Sequence, residues 1–137
     1  MKNTVTPRLR THHHRRRGAI TIEMLLTSPI LLISVIGIFE LGNLVAGTNQ
    51  VVLSARNGAL AASSGTSTNV QAAVNDTLLQ AGISTTDVNV TTAFSATAAT
   101  VTVTVPLQNT CPDFLKTFGF SLSGKTFNTT ATMPLNP

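Results

Sequence analysis

Apolar and polar positions divide the chain into three stretches of different period. From Ala19 to Phe39 apolar residues run almost unbroken, with one carboxylate, Glu23, and one proline, Pro29, inside the run. A helix of that length spans roughly 31 Å, the thickness of a bilayer core. The part free of charge, Met24 to Phe39, spans only roughly 24 Å, so either Glu23 or the next carboxylate, Glu40, must meet the hydrocarbon. With Ala19 at the cytoplasmic edge, Glu23 lies roughly 6 Å deep. Glu40 then falls at the far interface, where water reaches it. Pro29 has no N–H and crowds the carbonyl of Leu25, which predicts a kink or soft spot over Leu25 to Pro29.

Past Glu40 the helical period continues. Leu41, Leu44, Val45, Val52, Ala55, Ala59 and Ala62 recur near intervals of three and four, while Asn43, Gln50, Arg56 and Asn57 point elsewhere. Gly42, Gly47 and Gly58 weaken this stem, and its many alanines permit close helix approach. A polar loop from Ser63 to Thr68 ends it. A second helix is expected over about Val70 to Ala81, capped by Thr68 or Asn69 and stopped by Gly82, with Val70, Ala73, Val74, Leu78 and Ala81 as its apolar stripe.

From Asp87 the period becomes two. Val88 and Val90 alternate with Asn89 and Thr91, and Val101, Val103 and Val105 alternate with threonines. These are strands with one apolar face. Ser95 to Ala98 is expected to turn the chain between them, without the usual Asn-Gly signal, and Pro106 marks an end or an edge. Gln108 to Gly124 reads as a loop whose Phe114, Leu115, Phe118 and Phe120 are expected to pack over the sheet. Lys125 to Met133 alternates again, with Phe127, Thr129, Ala131 and Met133 on one side. The expected fold class is therefore α+β: a long N-terminal transmembrane and stem helix, then a small domain of one helix and about three antiparallel strands.

Charge changes this picture at one end only. Lys2, Arg8, Arg10 and Arg15 to Arg17 precede Ala19; beyond it Arg56, Lys116 and Lys125 face all five carboxylates of the chain. The formal net charge of +4 thus belongs to the N-terminal tail, and the body is mildly acidic. A nucleic-acid partner is not expected, since that calls for a basic body and the stacking platforms of single-strand binders are missing from a chain without Trp or Tyr. By the positive-inside bias the arginines hold the N-terminus in the cytoplasm and the body faces outward. The twin arginine within Arg15 to Arg17 also occurs in export signals, but the apolar run that follows is too long for one.

Candidate chemistry is sparse. His12, His13 and His14 are consecutive, whereas a folded metal site needs spaced ligands; no histidine follows Ala19. Asp76, Asp87 and Asp113 lie far apart, each near a turn or helix, and phosphate-loop and nucleophile-elbow patterns are missing. Cys111 is the one cysteine, so it forms no internal disulfide. The expectation is a protein that is not an enzyme, with no cofactor, no metal and no small-molecule substrate. That leaves Glu23, because a carboxylate in a membrane-length segment costs about 2.5–3.5 kcal/mol on insertion scales and is rarely idle.

Basic residues, Gly18, and an apolar helix with a glutamate as its fifth residue together resemble the class III signal of type IV pilins and pseudopilins. Within that group RRGAITIEMLLTSPILLISVIGIFELG is similar to the TadE-like proteins of the tight-adherence system, with Pro29, Gly37, Glu40 and Gly42 following in order. The small-residue segment VVLSARNGALAA adds to the likeness; Met24 stands where phenylalanine is usual. The resemblance implies cleavage by a prepilin peptidase between Gly18 and Ala19, and pairing of Glu23 with the N-terminal ammonium of a neighbouring subunit. It also implies a bacterial inner-membrane protein whose partners are other pilins or pseudopilins and the inner-membrane assembly platform. The implied organisation is a leader over 1–18, a transmembrane and stem helix over 19–62 and an extracytoplasmic domain over 63–137. Two other readings remain open. One is a plain single-pass anchored protein with a partner-binding outer domain; the other is a secreted protein cut near Ala46.

Overall fold

A computed structural model describes residues 15–64 and 68–135, with side chains described from Ile20 onward and not at Thr68. It has two helices and a three-stranded sheet. Helix α1 covers Arg15–Ser63 and α2 covers Thr68–Gln80. Strands β1 (Asn89–Phe94), β2 (Ala98–Pro106) and β3 (Thr126–Pro134) form an antiparallel meander in the order β1-β2-β3. The α+β class and the long apolar N-terminal helix match the expectation. By residue contacts the chain falls into two compact units, one ending at Val35 and the other beginning at Ile36.

In the first unit α1 is described from Arg15, ahead of the apolar run. Arginine is a good helix former, so an established helix extends readily through it. Residues 1–14, with His12 to His14 and the remaining leader cations, lie outside the described residues. Pro29 sits within the uninterrupted helix. The hydroxyl of Thr27 donates to the carbonyl of Glu23 at 2.9 Å, and that of Ser34 to the carbonyl of Ile30 at 2.8 Å. From Ile20 through Leu32 every residue is exposed.

The second unit holds the core. Val51, Ala55, Ala59 and Ala62 of α1 meet Val70, Val74 and Leu78 of α2, Ile83, and Ala99, Val101, Val103 and Val105 of β2. Alternation is complete in β2, whose Ala99, Val101, Val103 and Val105 are buried and whose threonines are half-exposed, as a strand with one covered face requires. On the other face Thr100 and Thr102 bond to Thr132 and Thr130 across β3 at 3.1 and 3.0 Å. The β1–β2 turn is held by Ser95, whose N–H donates to the Ala98 carbonyl at 2.8 Å and whose hydroxyl accepts from the Ala98 N–H at 3.1 Å. This hydroxyl supplies the turn chemistry that Asn-Gly would otherwise provide.

Helix α2 ends as Gly82 takes φ +73°. The Ile83 N–H bonds back to Leu78 and the Gly82 N–H to Leu79. This is a Schellman stop, and the two apolar residues that it brings together, Ile83 and Leu78, both enter the core.

Three expectations fail in this unit. The phenylalanines between β2 and β3 do not cover the sheet: Phe114, Phe118 and Phe120 are 49%, 45% and 69% exposed. The inner face of the sheet is already filled by the helices, and the outer face is threonine and asparagine. Glu40 is not at a wet interface; it is 6% exposed. The buried stripe of α1 is also rotated from the expected one. Val51, Ser54 and Gly58 are inside, while Leu41 and Val45 are exposed.

Candidate functional site

The residues singled out from sequence, Gly18, Ala19, Glu23 and Pro29, all lie on α1 within the first unit. Successive residues of a helix turn through about 100°, so Glu23 stands about 1.4 turns beyond Gly18. The Glu23 side chain is exposed, with Ile20, Leu26 and Thr27 as its neighbours on the same helix face. Its backbone carbonyl takes the Thr27 hydroxyl, but among the described residues no donor or cation reaches its carboxylate. One carboxylate is thus presented outward from an apolar helix with its charge uncompensated by those residues. Such a group attracts a cation from another molecule once water is removed.

Ile20–Ser63 contains a stretch of mean hydropathy 2.2 with none of it buried, near the N-terminus, long and apolar enough to cross a membrane. Among the described residues no three His, Cys, Asp or Glu side chains gather to hold a metal.

A second polar arrangement, in the other unit, is one that sequence reasoning missed. The Leu115 N–H donates to Glu40 Oε2 at 2.9 Å. This draws the segment after β2 alongside α1. Gly47 makes the approach possible, because a Cβ there would stand 2.7 Å from Thr110 Cβ and 2.8 Å from the Thr110 carbonyl oxygen. Farther along, Leu115 Cδ1 would be 3.9 Å from a Cβ on Gly37. The segment therefore tracks α1 from Gly47 back to Gly37.

Its own shape depends on Asp113, whose Oδ2 accepts from the Ser121 hydroxyl at 3.1 Å and the Leu122 N–H at 3.0 Å, while Oδ1 is buried without a partner among the described residues. Gly119, at φ +91°, closes the 3-10 turn Phe114–Phe118 in a left-handed conformation. The Leu107 N–H bonds to the Lys125 carbonyl at 2.9 Å and closes the base of the loop. Cys111 is buried beside it, and burial pushes its thiol pKa up.

A signal for this contact exists in the sequence: Gly37, Glu40, Leu44, Gly47, Val51, Ser54 and Gly58 recur at alternating intervals of three and four. That places Glu40 on the same helix face as three glycines. An acid in phase with the small residues that a partner segment packs against belongs to the contact and not to solvent.

Comparison with known proteins singles out the same helix. Residues 18–60 match the family model described as TadE-like protein. No curated protein and no solved structure matches the chain. The matched segment starts at Gly18, contains Glu23, Pro29 and Glu40, and stops before α2; over that segment the chain is similar to TadE-like proteins.

Proposed function

We propose that this chain is a minor pseudopilin that helps assemble or prime a tight-adherence type IV pilus, or a related secretion machine. It does so after a prepilin peptidase removes its leader. The observation that supports the reading is the Glu23 carboxylate, without a partner among the described residues, on an exposed apolar helix, five residues after Gly18, inside the TadE-like segment. In this reading the N-terminus enters the bacterial inner membrane from the cytoplasmic side, and the sheet domain lies outside. The cut between Gly18 and Ala19 does two things at once. It removes the six cationic side chains that hold the tail in the cytoplasm, and it creates an ammonium on Ala19, roughly 6 Å along the helix from Glu23. On an adjacent subunit that ammonium satisfies the carboxylate, so the pair forms only between processed chains. The protein acts by association with other pilins and the assembly platform, not by catalysis.

The N-terminal sequence of the protein isolated from cells tests the reading directly, and it should begin at Ala19. Gly18→Leu is expected to leave an uncut precursor in the membrane, and processing at the normal rate would refute the cleavage site. Glu23→Leu is expected to be cut nearly as well as the parent but to impair assembly. Normal pili from that variant would remove the pairing role.

A further inference from the structure

The loop between β2 and β3 presents apolar side chains where none is needed for folding. Phe118 and Phe120 are exposed, Leu41 of α1 is exposed as well, and a groove of about 420 Å³ runs between Leu41, Leu44, Leu115 and Phe120. Contiguous apolar surface of this kind marks a docking surface. Its occupant follows from its place on α1. Leu115 lies against Gly37, so the loop stands at the last turns of the apolar run that ends in Phe39.

Glu40 would stop that run, but its carboxylate is buried and takes the Leu115 N–H. What α1 leaves exposed just beyond it is Leu41 and Val45. With Glu40 hidden, no residue from Met24 to Val45 exposes a charge, a stretch that reaches the roughly 20 residues that a bilayer requires. The loop carries one cation, Lys116, and Lys125 lines the groove. Long cationic side chains near a membrane edge carry their charge out to the interface while their stems lie along apolar surface.

We propose that the loop from Cys111 to Leu122 is a lipid-interface element: it inserts Phe118 and Phe120 into the outer leaflet and covers Glu40, so that the apolar span continues to Val45. The inference rests on the reading of α1 as a membrane span. It gives the loop's internal bonding a purpose, because Asp113 turns the N–H of Leu122 and the hydroxyl of Ser121 inward and leaves the aromatics outward.

The native chain has no Trp or Tyr, so single substitutions to tryptophan report their own surroundings. The full chain carrying Leu31→Trp, Phe118→Trp, Phe120→Trp or Phe94→Trp is reconstituted into vesicles of phosphatidylcholine and phosphatidylglycerol, with and without bromine on the acyl chains. Phe94 is exposed and pairs with Ala99, at the end of β2 opposite the loop. Bromination should quench Leu31→Trp, Phe118→Trp and Phe120→Trp and leave Phe94→Trp unchanged. If Leu31→Trp is quenched while both loop variants stay bright and water-exposed, the loop does not enter lipid and the proposal fails alone. Loop variants with emission shifted to the blue but insensitive to bromine would mean that a second chain covers the loop, which also overturns it. Lack of quenching at Leu31→Trp would remove the span and the proposal together.

Discussion

Glu40 shows how far a side chain's role depends on its partner. Its place after the apolar run suggests a solvated acid at a membrane edge, yet it is buried and accepts a backbone N–H from a residue 75 positions later. Glu40→Ala leaves that N–H unpaired and should destabilise the second unit by about 1–3 kcal/mol. Glu40→Gln keeps an acceptor oxygen and should cost less. Hydrogen exchange at the Leu115 amide checks this, with faster exchange expected in Glu40→Ala than in Glu40→Gln. Cys111 makes a second test. Its thiol pKa is raised above its ordinary 9.0 by burial first, with the Glu40 and Asp113 carboxylates adding to the rise and a hydrogen bond with Thr110 opposing it. The folded chain therefore holds this proton more tightly than the unfolded chain. The resulting stability is complete below the unfolded value and is lost as pH climbs through the folded one. Denaturation midpoints should fall above about pH 9, and Cys111→Ala should flatten that part of the profile.

Among the elements, α1 carries glycines with opposite consequences. At Gly42 a methyl group would meet nothing within 4 Å, so Gly42→Ala should stabilise the helix by about 0.5–1 kcal/mol. At Gly47 the same change meets Thr110 backbone at 2.8 Å. Overpacking of about 1–3 kcal/mol should exceed the propensity gain there and make Gly47→Ala destabilising. Thermal denaturation of the two variants in the same detergent gives the signs, and equal signs would contradict the packing described. The strands are legible in the sequence because alternation is local: Val101, Val103 and Val105 turn inward whichever neighbours they meet. The phenylalanine loop is not legible in the same way. An aperiodic segment carries no phase, so sequence points its aromatics only to the nearest apolar surface, and the helices already occupy that surface.

For the molecule, the core joins α1, α2 and β2 in one cluster, so these parts should unfold together. Leu78 is fully buried in that cluster. Leu78→Ala should cost about 2–5 kcal/mol and speed exchange across residues 51–62 and 99–105 as much as across α2. Faster exchange confined to α2 would contradict a single cooperative core. The candidate assembly site is readable from the chain alone: Gly18, Glu23 and Pro29 are spaced along one helix, and the cost of a charge in lipid does not depend on the rest of the fold. The class of the sheet domain is readable too, since periods of 3.6 and 2 come from backbone geometry alone. Tertiary structure decided the face of α1 that is buried, the neutral surface beyond Phe39 and the burial of Glu40. Each of these depends on residues brought together from distant parts of the chain, such as Glu40 with Leu115 and Gly47 with Thr110. Local periodicity holds no information about which distant segment arrives, and the free energy of such contacts exists only once the segments have met.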